Sequence, residues 1–126
     1  MNPFTIEREQ ELVFYQVKIV IKPYKTDEFV KSMRSFARNI RKQKGCLGYS
    51  VYQDSEKENI YSVVGEWQTH QAMEKHFRTQ IFEVLIGAAG VLGETFEFNI
   101  AEVLKTGGNK LVDQIASQQK ESAAAD

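Results

Sequence analysis

The run Leu12-Val13-Phe14-Tyr15-Gln16-Val17-Lys18-Ile19-Val20-Ile21 is rich in β-branched and aromatic residues and carries apolar groups at both parities. Such a composition favours a strand. Successive side chains of a strand point to opposite faces, so Val13, Tyr15, Val17, Ile19 and Ile21 share one face while Leu12, Phe14 and Val20 share the other. A chain that forms this strand has to cover it on both sides. Pro23 ends the run.

The segments that follow alternate between the two periodicities. Thr26 reads as an N-cap, with Asp27 and Glu28 facing the positive end of a helix. Phe29, Met33, Phe36, Ala37 and Ile40 recur at spacings of three and four and give that helix one apolar face. Arg41, Lys42 and Lys44 crowd its last turn, and Gly45 suits a left-handed stop. Strands are expected over 46–53 and 60–67, and the short polar linker Asp54–Asn59 joins them as an antiparallel hairpin.

Thr69 opens a helical piece carrying Ala72, Met73, His76 and Phe77 on one side; a second piece carries Ile81, Phe82, Leu85, Ile86 and Ala89. Gly87, Gly90 and Gly93 are expected to loosen its end. Phe96, Phe98 and Ile100 alternate with Glu97 and Asn99 as a last, half-buried strand. The order β-α-β-β-α-β reads as a ferredoxin-like α+β sandwich, both helices on one face of an antiparallel sheet. Residues 1–11 are expected as a flexible arm and 12–105 as the folded domain. Residues 106–126 form a tail in which Leu111, Val112 and Ile115 give a short helix a thin apolar stripe that frays beyond Ser117.

The helices cover one sheet face, yet residues of the second face are also apolar: Leu12, Phe14 and Val20 on the first strand, Ile60 and Val64 on the third. Large exposed apolar patches mark interfaces. The expectation is a homodimer packed sheet against sheet around a barrel-like core.

Bulk properties narrow the function. The 126 residues fit one domain, and a net charge of -1 argues against a nucleic-acid partner. Basic residues between Lys31 and Lys44 interleave with apolar positions at helical spacing, as a solvated helix face does. With a single cysteine no intrachain disulfide can form, and no apolar stretch approaches the ~20 residues that span a bilayer. No signal peptide is evident, so the expected location is the cytoplasm, with no membrane partner. Two histidines and one cysteine at no ligand spacing make a metal site unexpected.

What chemistry remains concentrates at Trp67 and His76. Trp67 faces the helices, either as a packing anchor or as a flat wall for an aromatic ligand. His76 is either a satisfied core group or a general base. Tyr15 and Tyr61 share the helix-facing side with Trp67, whereas Tyr49 and Tyr52 have opposite parity and cannot both do so. Any of these four could orient a ligand oxygen or be a bonded core tyrosine. His70, in a first turn, is expected to be exposed, and Cys46 to be a small buried hydrophobe.

Gly45-Cys46-Leu47-Gly48-Tyr49, Val64-Gly65-Glu66-Trp67 and the His76-Phe77 pair followed by Phe82 resemble, in order and spacing, the antibiotic biosynthesis monooxygenase family over about residues 12–104. The resemblance implies a dimeric α+β barrel and, in several members, oxygenation of phenols or quinols without metal or flavin. Other members are heme-degrading enzymes, isomerases of small phosphorylated sugars, or proteins without established activity. The residues depart from two branches. Val63 stands where polyketide oxygenases carry an asparagine, and Val17 and Ile86 stand where heme-degrading members carry an asparagine and a histidine. The expectation is therefore a cofactor-independent oxygenase of a small electron-rich aromatic such as a quinol. His76 would be its base and Trp67 its wall, with Tyr15, Tyr49, Tyr52 or Tyr61 as orienting hydroxyl. A non-catalytic ligand-binding or interaction module and an enolising isomerase are the alternatives.

Overall fold

The computed structural model describes residues 12–125, with side chains described to residue 119; the expected N-terminal arm lies outside them. The elements run β1 (Val13–Ile21), α1 (Thr26–Ile40), β2 (Cys46–Gln53), β3 (Ile60–Trp67), α2 (His70–Phe77), α3 (Gln80–Leu92), β4 (Gly93–Glu102) and α4 (Asn109–Ala125). The four strands form one sheet in the order β2-β3-β1-β4, every pairing antiparallel. This is the expected ferredoxin-like α+β fold, and α1, α2 and α3 all lie on one sheet face.

The doubly apolar β1 is central, hydrogen-bonded to β3 and β4. Its helix-facing residues Val13, Tyr15, Val17, Ile19 and Ile21 are all buried. They meet Phe29, Met33, Ala37 and Ile40 of α1 and Leu85 and Ala89 of α3, all from the stripes read from helical spacing, together with Leu92, which that reading did not include.

The opposite sheet face is less apolar than β1 and β3 alone suggest. Leu12, Phe14 and Val64 cluster near one end and Val20 and Ile60 near the other. Between them a polar band crosses the sheet, with Gln16 Nε2 donating to Ser62 Oγ at 3.2 Å. The contribution of β2, with Ser50 facing Val64, makes the difference.

Four local expectations change. Thr26 is the first helical residue rather than the cap. The preceding Lys25 occupies the cap position without a side-chain bond to the helix's amides, held by its amide's bond to the Lys22 carbonyl after Tyr24 has turned left-handed (φ 66°). Gly45 is left-handed (φ 85°) but lies beyond α1, which ends at Ile40. A Cβ there would come 2.5 Å from the Ala72 Cβ, so this glycine lets α2 approach the entry to β2. Gly87 and Gly90 do not loosen the chain: α3 runs through both to Leu92, held by Leu85, Ala89 and Leu92 in the core. Finally, α4 continues to Ala125 rather than fraying near Ser117, because its glutamines, lysine, glutamate and alanines include strong helix formers and no breaker.

Candidate functional site

The site begins with register. Tyr49 of β2, Gly65 of β3 and Tyr15 of β1 stand in one cross-strand row on the helix-facing side. With no side chain at Gly65, the two phenol rings close over it; a Cβ there would lie 3.0 Å from carbons of both. Their hydroxyls are hydrogen-bonded at 3.1 Å. Tyr15, Tyr49, Trp67 and His76 are all essentially removed from solvent.

The helix supplies the imidazole. Thr69 caps α2, its Oγ1 accepting from the Ala72 amide at 3.0 Å, and this fixes the phase that turns Met73 and His76 inward. His76 Nε2 lies 2.8 Å from the Tyr15 hydroxyl, and Nδ1 lies 2.7 Å from Gln43 Oε1 in the turn after α1. An amide oxygen can only accept, so Nδ1 carries a proton. Burial lowers the His76 pKa from 6.5 to about 4, so the ring is neutral at pH 7 and Nε2 is a lone-pair acceptor. Tyr15 then gives its one proton to Nε2, and Tyr49 donates to Tyr15. Burial, the largest cause, also raises the pKa of both phenols, which stay protonated. The result is a directed chain, Tyr49 to Tyr15 to His76 to Gln43, inside an otherwise apolar core.

Aromatic rings enclose it. Trp67 stacks on His76 with centroids 4.5 Å apart and planes at 27°. Its indole Nε1 is buried without a hydrogen-bond partner among the described residues. Leaving such a donor unpaired costs about 1–3 kcal/mol, less than the ~4–6 kcal/mol that burying some 150–250 Å² of indole supplies. The ring therefore stays inside, at the expense of one idle donor. Phe77 and Phe82 lie 5.3 and 5.8 Å from Tyr15, and Phe98 of β4 stacks on it at 5.5 Å. Phe98 is 37% exposed, so on this side one ring separates Tyr15 from solvent. Phe96 (46%) and Ile100 (52%) continue the exposed apolar strip along β4. On the other sheet face a cleft of about 310 Å³ is lined by Leu12, Phe14, Leu47, Val64, Glu66 and Trp67, so the tryptophan borders both regions.

Of the residues singled out from sequence, the fold brings Tyr15, Tyr49, Trp67 and His76 together. Tyr52 does not join them: it is exposed on the opposite face, in the row of Ser62 and Lys18. Tyr61 has the right face but lies six residues from Trp67 along β3, about 20 Å, where it packs on Phe29 instead. His70 is half-exposed and paired with Glu102 at 2.7 Å. Cys46 is half-buried rather than buried, its thiol bonded to the Gly48 carbonyl where β2 slips register. Gln43 was not anticipated; in the polar run Arg41–Lys44 nothing local distinguishes it from a solvated loop residue. Among the described residues no three His, Cys, Asp or Glu side chains come together as a metal site. No described helix is long and apolar enough to cross a membrane.

Known proteins bear on this geometry. Residues 12–86 match the family model of the antibiotic biosynthesis monooxygenases. An uncharacterized protein of Synechocystis is 29% identical over 89 residues, 70% of this chain, and this chain spans 60% of that relative's length. YcnE of Bacillus subtilis, provisionally named a monooxygenase, is 26% identical over 72 residues, covering 57% of this chain and 76% of YcnE. Among solved structures, a conserved protein of Methanosarcina mazei superposes with a TM-score of 0.68 at 26% identity, covering 72% of this chain and 91% of that one. A crystal structure named antibiotic biosynthesis monooxygenase superposes at 0.65 with 18% identity, over 75% and 99% of the two chains, which speaks for the fold. The match extends from the first strand through most of α3 and so includes every member of the Tyr49–Tyr15–His76–Gln43 chain: this protein belongs to the antibiotic biosynthesis monooxygenase family.

Proposed function

We propose that the protein is a cofactor-independent monooxygenase of a small electron-rich aromatic of the quinol class. The observation that carries this is a neutral imidazole with a proton-free Nε2, buried among rings and bonded on both nitrogens, beside an indole N–H with no partner among the described residues. Buried titratable groups perturbed by desolvation and set in a specific hydrogen-bonded chain cluster at functional sites. In this reading Phe98 swings out, the quinol ring lies against Phe77 and Phe82, and its hydroxyl takes over the bond to His76 Nε2. Tyr15, held by Tyr49, donates to the same oxygen and orients it.

The steps balance as follows. His76 accepts the hydroxyl proton, and pairing with the quinolate raises the imidazolium pKa that burial had lowered. The quinolate passes one electron to dioxygen, and the resulting radicals join at the ring carbon beside the oxygen. The imidazolium protonates the distal oxygen. Loss of the proton on that carbon then breaks the O–O bond, releasing water and leaving a carbonyl. The net reaction takes hydroquinone and dioxygen to hydroxyquinone and water. Trp67 Nε1–H donates to the peroxide oxygen as its charge develops.

Oxygen uptake with a panel of hydroquinones, in the presence of chelator, tests the reading. His76→Ala should lower kcat by ~10²–10⁴-fold, the range of general base catalysis. Absence of uptake with every quinol, or full activity in that variant, would reject it. The engagement of both His76 nitrogens favours one other reading, a non-catalytic ligand-binding module, which predicts quinol binding without uptake. An enolising isomerase would instead turn over small carbonyl compounds without oxygen.

The working unit in this proposal is a homodimer in the cytoplasm. Leu12, Phe14 and Val64 on the open sheet face, and the strip Phe96–Phe98–Ile100 on an edge strand, are surfaces that a second copy would cover.

A further inference from the structure

We propose that the groove between α1 and the outer edge of β2 binds a small organic phosphate monoester, at a site separate from the aromatic cluster around His76 and independent of the oxygenase reading. The groove encloses about 560 Å³, within the ~300–1,000 Å³ of small-molecule sites. Its floor is apolar, made by Val30, Val51 and the ring of Tyr61. Its rim is formed by Arg34, Arg38 and Arg41, and among the described residues no acidic side chain lines it.

From sequence alone this basic stretch reads as a solvated helix face. The structure adds three facts. Spacings of four and three put the guanidiniums on one side of the helix within two turns, rising about 6 and 10 Å from Arg34, and all three border the same recess. No ion pair involves them among the described residues. Arg41 is also preset: its Nε and Nη2 donate to the Tyr49 carbonyl at 3.0 and 2.6 Å, which holds one charge at the edge of β2 and leaves its other N–H groups unspent.

Like charges at such spacing destabilise a helix, and an anion in the groove would relieve them. A phosphate monoester suits the arrangement better than a carboxylate. It brings about -1.5 to -2 charges and three acceptor oxygens at pH 7, matching guanidinium forks bidentately. Its organic part would lie on Val51 and Tyr61.

Titration of the full chain with phenyl phosphate, followed by NMR at the arginine Nε–H and Val51 methyl signals, tests this. Saturable shifts are expected, weaker with inorganic phosphate and absent with phenol. The double variant Arg34→Gln/Arg38→Gln, at exposed positions that leave the core intact, should weaken binding by at least ~10-fold while oxygen uptake with quinols is unchanged. Three results would each overturn the site or its class: no saturable shift, undiminished affinity in the double variant, or benzoate binding as tightly as phenyl phosphate. Inorganic phosphate binding as tightly as phenyl phosphate would remove the organic part of the proposal.

Discussion

At the scale of single residues, His76 ties stability to pH. Its pKa is lowered from 6.5 to about 4 in the fold, so between those values the unfolded chain binds more protons than the native one. Stability from this group is therefore complete above about pH 6.5 and drains away as pH falls toward 4. At 1.36 kcal/mol per unit the full effect is on the order of 3 kcal/mol. Thermal denaturation of the wild type and His76→Gln across this range checks it: the wild type should lose more stability on acidification, and parallel curves would refute the assignment. Gly65 offers a second handle. Gly65→Ala inserts a methyl 3.0 Å from both tyrosine rings, so it should lengthen the Tyr15–Tyr49 bond and lower stability by roughly 1–3 kcal/mol, read by chemical denaturation. Legibility at this scale was uneven. Trp67, His76 and Tyr15 could be assigned to one interior because strand parity and helix phase are local properties. Gln43 could not, because its role depends on where a turn lands against a helix 33 residues away.

Among the elements, two threonine caps and one glycine set the helices. Thr69 and Thr79 accept from the amides of Ala72 and Phe82. Replacing either with Ala should cost about 1 kcal/mol; Thr69→Ala should in addition reduce any oxygenase activity, because the helix it caps carries His76. Gly45→Ala should be worse than either, combining a left-handed backbone with a 2.5 Å clash against Ala72. Urea denaturation of the three variants ranks them, and a Gly45→Ala variant as stable as wild type would contradict the packing described. The first three strands were readable to within a residue or two, since their periodicities are strong and Pro23 punctuates the first. Helix α1 was legible as an element, but it ends at Ile40, before the basic run read as its last turn. The glycines in α3 misled because a helix tolerates Gly where tertiary contacts at Leu85, Ala89 and Leu92 outweigh ~1 kcal/mol of propensity apiece. The cap at Thr79 was visible in principle, as a threonine directly before an apolar run.

The whole molecule poses the question of cover. An edge strand with exposed phenylalanines and a terminal helix with only a thin apolar stripe leave surface for a second copy. Sedimentation equilibrium at micromolar concentration should show a dimer, and a monomer there would remove the interface proposal. The order of elements was legible because six segments of clear period have few ways to close one core; the polar band across the open face was not, since it depends on which β2 residues meet β3. The stacking of Trp67 on His76 has an optical consequence. The chain contains one tryptophan, so all indole fluorescence reports from this single contact. A protonated imidazole quenches an adjacent excited indole more strongly than a neutral one does. Emission should therefore dim as His76 titrates and change abruptly on unfolding, so the protonation of the candidate base can be read without label, substrate or turnover.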